Sequence, residues 1–252
     1  MKKWVLCSLL LSLHTQAASI STYRIYLDND NRQQKFMVRN ASAIPEKCDI
    51  SFSYMAYEEN GQAKKLSKEQ QDALSTAALN HLRYSPSQFT IEPKSSQYIA
   101  FNYRRQINDA PAEYRTYVNI KCISLDDQTK QGISLTPTIM HSVPLVIRSG
   151  RPTELDANLT FTNIERKEDT IAFRLQHQGT RSVYGDLYLV SDKGEKRNLL
   201  QRNIVIYPEM QYKDFAFSLK DVNDKNLRIE FQETGTYSNN KQFVLPLKGE
   251  QS

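Results

Sequence analysis

Four histidines, three cysteines and a scatter of carboxylates are the residues with which this chain could do covalent or metal chemistry. Their spacing argues against it. Cys7, Cys48 and Cys122 form no Cys-x-x-Cys pair, and none has a histidine at metal-ligand distance, so no zinc or other metal site is expected. His14, His81, His141 and His177 stand in no recognisable nucleophile context. No GxSxG, HExxH, P-loop or GxGxxG motif occurs. The aspartates and glutamates are spread over polar faces and read as solvated surface. Catalysis and a cofactor are therefore not expected, and binding is the function left to explain.

The elements that must carry such a function begin after residue 17. Lys2 and Lys3 precede an apolar run from Trp4 to Leu13, and Thr15-Gln16-Ala17 places small residues for cleavage after Ala17. Residues 1–17 are expected to be a signal peptide. The apolar run is too short to cross a bilayer as a helix, so no membrane insertion is expected. Cys7 lacks the small residues before it that a lipid anchor needs. Net charge is +5, of which Lys2 and Lys3 contribute two. The remainder is too small for a nucleic-acid partner by the basic-stripe criterion. In an exported chain Cys48 and Cys122 are left as an even pair, which suggests a disulfide, with two buried free thiols as the alternative.

Composition favours strands. The chain has 14 Tyr and 10 Phe, 39% hydrophobic and 24% charged residues, and aromatic and β-branched side chains pack well on pleated surfaces. Alternation predicts strands over 21–28, 34–39, 48–57, 88–92, 97–104 and 113–123, and a long apolar run over 133–148. One segment departs from this. Ser67 and Gln70 have capping-box spacing, and Ala73, Leu74, Ala77, Ala78, His81 and Leu82 recur at helical period, which predicts one short helix over 67–82 with His81 packed rather than ligating. Ser149-Gly150-Arg151-Pro152 reads as a linker. Seven further strands are predicted, over 159–165, 170–177, 184–191, 203–207, 213–218, 226–233 and 242–247, the spacing of a second sandwich. The expected domains are 18–149 and 150–252.

The run at 133–148 poses a physical question. A long apolar edge strand invites pairing with another chain, and most proteins blunt it. Donor-strand complementation exploits it instead. At this point the sequence resembles the periplasmic chaperones of the chaperone–usher pilus pathway, over nearly the whole chain after residue 17. The resemblance rests on Thr22-Tyr23-Arg24-Ile25-Tyr26-Leu27, on Ser85-Pro86 through Pro93 and Gln97, on Glu113-Tyr114-Arg115, and on Val143-Pro144-Leu145-Val146-Ile147-Arg148. In the second half, Gly179-Thr180-Arg181-Ser182-Val183-Tyr184-Gly185-Asp186 looks like a segment of the archaic and alternative branches.

That resemblance implies an all-β fold of two immunoglobulin-like sandwiches in an L, periplasmic location, pilus subunits and an outer-membrane usher as partners, and no catalysis. It implies that Ile133, Leu135, Pro137 and Ile139 are the donor-strand residues, projecting from one face because side chains alternate. It implies that Arg24 grips a subunit's terminal carboxylate, which a guanidinium fork suits. Typical members place a Lys where this chain has Pro144. The second carboxylate anchor is thus either absent or supplied by a residue such as Arg115 or Arg181. Glu113 and Arg148 match an interdomain ion pair, expected to be joined by an acid from the second domain. Cys48 and Cys122 fall on strands expected to be neighbours. An open strand also offers a template for self-association of the free chain. The alternative reading is a secreted sandwich adhesin or binding module without chaperone activity.

Overall fold

In the computed structural model, residues 18–105, 110–125, 138–167, 169–191, 197–219, 227–234 and 241–247 are described. The expected signal peptide and the donor residues Ile133, Leu135 and Pro137 lie outside them. The first half contains β1 (Ser19–Ile20), β2 (Ile25–Asp28), β3 (Gln33–Arg39), β4 (Glu46–Ser53), β5 (Met55–Tyr57), β6 (Ala63–Lys65), β7 (Leu82–Ser85), β8 (Gln88–Ile91), β9 (Ser96–Tyr103), β10 (Ala112–Ser124) and β11 (Ile139–Ser149). The second contains β12 (Ala157–Lys167), β13 (Thr170–Gly179), β14 (Val183–Ser191), β15 (Arg197–Ile206), β16 (Tyr212–Ser218), β17 (Leu227–Glu233) and β18 (Gln242–Leu247).

Two β-sandwiches result. Sheet β1-β3-β9-β7 faces sheet β2-β11-β10-β4-β8, and sheet β12-β13-β16 faces sheet β15-β14-β17-β18. The period-two pattern explains the faces. In β9, Ile99, Phe101 and Tyr103 turn inward, and in β13, Ile171, Phe173 and Leu175 do. Each sandwich has its own core, one centred on Phe36, Phe101, Ile120 and Leu145, the other on Leu175, Leu187, Ile229 and Phe231.

Three sequence expectations need correction. The predicted strand over 21–28 is shortened. Only Ile25–Asp28 forms, as β2, which pairs parallel with β11; β1 lies before the predicted range and pairs with β3, so the chain changes sheets between them. The predicted helix over 67–82 is a five-residue helix α1 (Lys68–Asp72) followed by a separate 3₁₀ turn at Ala78–His81. The Ser67–Gln70 capping box forms as expected. Helix does not continue because the backbone at Thr76–Ala77 pairs with β10: Arg115 N–H donates to the Thr76 carbonyl at 2.9 Å, and Ala77 bridges Arg115. Third, β4 does not run on to Tyr57. After Ser53 the chain leaves the sheet and forms the β5–β6 hairpin, which reaches the second sandwich, where Tyr212 N–H donates to the Glu59 carbonyl at 3.0 Å.

Candidate functional site

Alternation in the sheet β2-β11-β10 sorts its residues into two sets. Ile25 and Leu27, Val143, Leu145 and Ile147, and Tyr114, Val118 and Ile120 enter the first core. Their neighbours point the other way, toward the second sandwich. These are Arg24 and Tyr26; Pro144, Val146 and Arg148; Glu113, Arg115 and Tyr117. From the second sandwich Ser182, Tyr184, Tyr207 and Glu209 meet them, forming a cleft rich in charge and phenol.

Glu113 and Arg148 are cross-strand partners, and Arg148 Nε donates to Glu113 Oε2 at 3.1 Å. The expected pair is present, but its partner from the second sandwich is not an acid. Ser182 donates to the same carboxylate oxygen through both N–H and Oγ, each at 2.9 Å, and its carbonyl accepts from Arg148 Nη2 at 3.0 Å. The acid from the second sandwich, Glu209, is taken instead by Arg115, at 2.6 and 2.7 Å, with Tyr54 Oη accepting at 2.8 Å. Burial opposes the Arg115 charge, yet the neighbouring Tyr54, Glu209 and Glu113 hold its pKa above the usual arginine value. Arg181 is fully buried against Glu233, at 2.5 and 3.2 Å. Both alternative anchors raised for Pro144's missing lysine are thus already bonded to carboxylates. Such pairs fix geometry, because removing one partner would strand a buried charge.

Arg24 differs. Its guanidinium is half-buried, lies 4.0 Å over the Tyr184 ring and donates to Tyr26 Oη at 3.1 Å. Among the described residues it has no carboxylate within ion-pair distance. The cleft also holds three phenols around Pro144 that sequence reasoning did not single out: Tyr57 and Tyr117 hydroxyls are 2.6 Å apart, and Tyr117 and Tyr207 hydroxyls 3.5 Å apart. Only cross-sheet placement brings them together, since they come from β5, β10 and the turn after β15.

Cys48 and Cys122 are direct partners of β4 and β10 and form a disulfide, with Cα atoms 4.1 Å apart. So close an approach marks a pair without mutual backbone hydrogen bonds. The amide of Cys122 therefore faces β11, and the alternation fixes every later residue of the ladder. Arg115, an odd number of residues away, indeed donates on the other flank, to Thr76. By the same count Pro144, opposite Tyr117, points its nitrogen away from β10. Its missing N–H costs β10 nothing and falls on the outer flank of β11.

That flank is the decisive feature. Strand β2 covers it only at Leu145–Arg148. From Ile139 to Pro144, β11 has β10 on one side and no strand on the other among the described residues. Ile139 and Met140 are 42% and 58% exposed, so this unpaired length also presents apolar side chains.

No protein-family model and no curated protein matches the sequence. Solved structures do match. The YadV chaperone aligns over 91% of this chain and 99% of its own, at 14% identity and a TM-score of 0.52. A chain in the Salmonella enterica SafA pilin–SafB chaperone complex aligns over 94% of this chain and 99% of its own, at 13% identity and a TM-score of 0.54. The fold is that of the pilus chaperones. Within it, the switch between β1 and β2 leaves β11 half uncovered among the described residues, and the cleft lies at the covered end of that strand.

Proposed function

We propose that this protein is a periplasmic chaperone of the chaperone–usher pathway. It binds pilus subunits by donor-strand complementation and delivers them to an outer-membrane usher. The observation that carries the reading is the one-sided pairing of Ile139–Pro144. A strand with a bare row of backbone donors and acceptors and alternating apolar side chains can complete another chain's sheet. Ile139 shares its face with Val143 and Leu145, and Ile133, Leu135 and Pro137, spaced by two along the sequence, are the other donor residues of this reading. The action is binding and release without bond-making: the subunit stays soluble while its groove is filled. Arg24, a cleft cation without a carboxylate in ion-pair distance among the described residues, is the anchor for the subunit's terminal carboxylate. The Glu113–Arg148–Ser182 cluster holds the two sandwiches on either side of it.

The test is co-expression in the periplasm with a pilin encoded beside the gene, followed by pull-down. Subunit recovery should depend on this chain. Equal yield and lifetime of the pilin without it would refute the reading.

A further inference from the structure

The cleft must compensate Arg24 in some way. Arg115, Arg148 and Arg181 each hold a glutamate, whereas among the described residues Arg24 meets ring faces and one phenol oxygen. A half-buried cation matched only by neutral groups is poised for an incoming anion. The tyrosines beside it bear on what completes that site. Tyr117 lies directly across the ladder from Pro144, the position with neither charge nor amide proton to offer. In a pair without mutual backbone hydrogen bonds, the two side chains stand close together.

The three hydroxyls of Tyr57, Tyr117 and Tyr207 carry three protons, and two hydrogen bonds join them. One proton is therefore left to donate outside the group. Tyr117 is the central member, and its oxygen can accept from both flanking phenols. In that arrangement the spare proton is its own, and the two bonds it accepts strengthen the one it donates. Ile25 pairs with Leu145 and Tyr117 with Pro144, so Arg24, one residue before Ile25, stands level with Pro144 and Tyr117, and its charge is felt at both Tyr117 and Tyr207.

The geometry points to Tyr117 as the second half of the carboxylate site: Arg24 supplies the charge, and the Tyr117 hydroxyl, backed by Tyr57 and Tyr207, supplies the hydrogen bond that a lysine at the Pro144 position would otherwise give. This rests on the proposed function, in which the ligand is a subunit's C-terminal carboxylate. Burial raises all three phenols above the usual tyrosine range, Tyr117 up to about 12, so they remain donors at any ordinary pH. A site of one cation and one neutral donor should also depend less on salt than a site of two cations.

The experiment uses the mature chain and two probes, a ten-residue alternating Val–Thr peptide with an N-terminal dye and either a free carboxylate or an amide at its C-terminus. Fluorescence anisotropy gives the affinity for each. The wild type should prefer the acid by about tenfold or more, the scale of a hydrogen bond to a charged group. Tyr117→Phe, which keeps the ring, should cut that preference several-fold by lowering the acid affinity more than the amide affinity. Tyr117→Phe/Pro144→Lys should restore the preference and steepen its decline between 0.05 and 0.5 M salt, values on the scale over which the Debye length falls severalfold. Thermal melting identifies any variant that has lost its fold, and for such a variant ¹³Cζ-tyrosine resonances of the wild type titrated with the two peptides replace it. A Tyr117 resonance moved equally by both probes overturns the inference. So does an unchanged acid preference in Tyr117→Phe, even with the preference abolished in Arg24→Ala; that result would leave the chaperone reading intact. Absence of any acid preference in the wild type also overturns it, whereas the chaperone reading then stands or falls on pilin capture alone.

Discussion

Replacing Glu113 by Gln should loosen the junction between the two sandwiches without disturbing its shape. The Glu113 side chain is 1% exposed, and three donors converge on Oε2: Arg148 Nε, Ser182 N–H and Ser182 Oγ. Glutamine can place its carbonyl oxygen at that point and keep all three contacts. Its amide would take the place of Oε1, which accepts no hydrogen bond and sits 4.0 Å from Arg115 Nε. What is lost is the charge. Removing one member of a buried ion pair costs about 3–5 kcal/mol. Arg148 keeps 12% exposure and its bond to the Ser182 carbonyl, so the lower end applies, about 3 kcal/mol. For a chain of this size that is a drop in Tm of about 6–12 °C. Differential scanning calorimetry reads it, with Asp214→Asn as the control. Asp214 pairs with Arg174 at 2.7 Å but is 59% exposed, and exposed pairs contribute about 0–1 kcal/mol. The reasoning is refuted if Glu113→Gln melts within about 2 °C of the wild type, the shift expected of the exposed control.

Other outcomes follow from the same structure. Ile139→Asp should reduce pilin recovery far more than Met140→Ser, because Ile139 lies on the face shared with Val143 and Leu145; equal losses in pull-down would place the donor face wrongly. Thiol titration of denatured, unreduced protein should find no free cysteine. Removing the bridge with Cys48→Ser/Cys122→Ser should lower stability by about 4.5 kcal/mol in urea titration, the chain-entropy value for a separation of 74 residues. Gly179 has φ +142°, and a Cβ there would lie 2.3 Å from the Asp156 carbonyl oxygen, so Gly179→Ala should cost about 3 kcal/mol or more; a Tm change under about 2 °C would contradict this. Burial lowers the His177 pKa, and its Nε2 donates to the Arg181 carbonyl at 3.1 Å. The unfolded chain then binds the proton more readily. This contribution to stability is complete above about pH 6.5, the unfolded value, and is lost as pH falls through the folded one. His177→Gln should flatten the acid limb of a Tm–pH profile, and an unchanged limb would exclude His177 as its source.

The sequence alone was enough to establish all-β texture, because alternation is a property of neighbours along the chain. Strands β13, β14, β16, β17 and β18 lie within two residues of where alternation places them. Cys48 and Cys122 were legible as a pair from count and compartment: with Cys7 in the expected signal peptide, they are the two cysteines left in an exported chain. The course of the chain in space was not legible. Nothing local marks the switch of β1 and β2 between sheets, since both halves alternate equally well, and the helical period at 73–82 lost to backbone pairing with Arg115. The cleft was further out of reach. Arg24, Tyr57, Tyr117, Ser182 and Tyr207 are distant in sequence, and their meeting depends on how one sandwich seats against the other. Likewise, an apolar run can be read from composition, but whether its flank is bare is a fact about neighbouring strands. Hydrogen-bond saturation at an edge is decided by tertiary pairing, and no single strand encodes it.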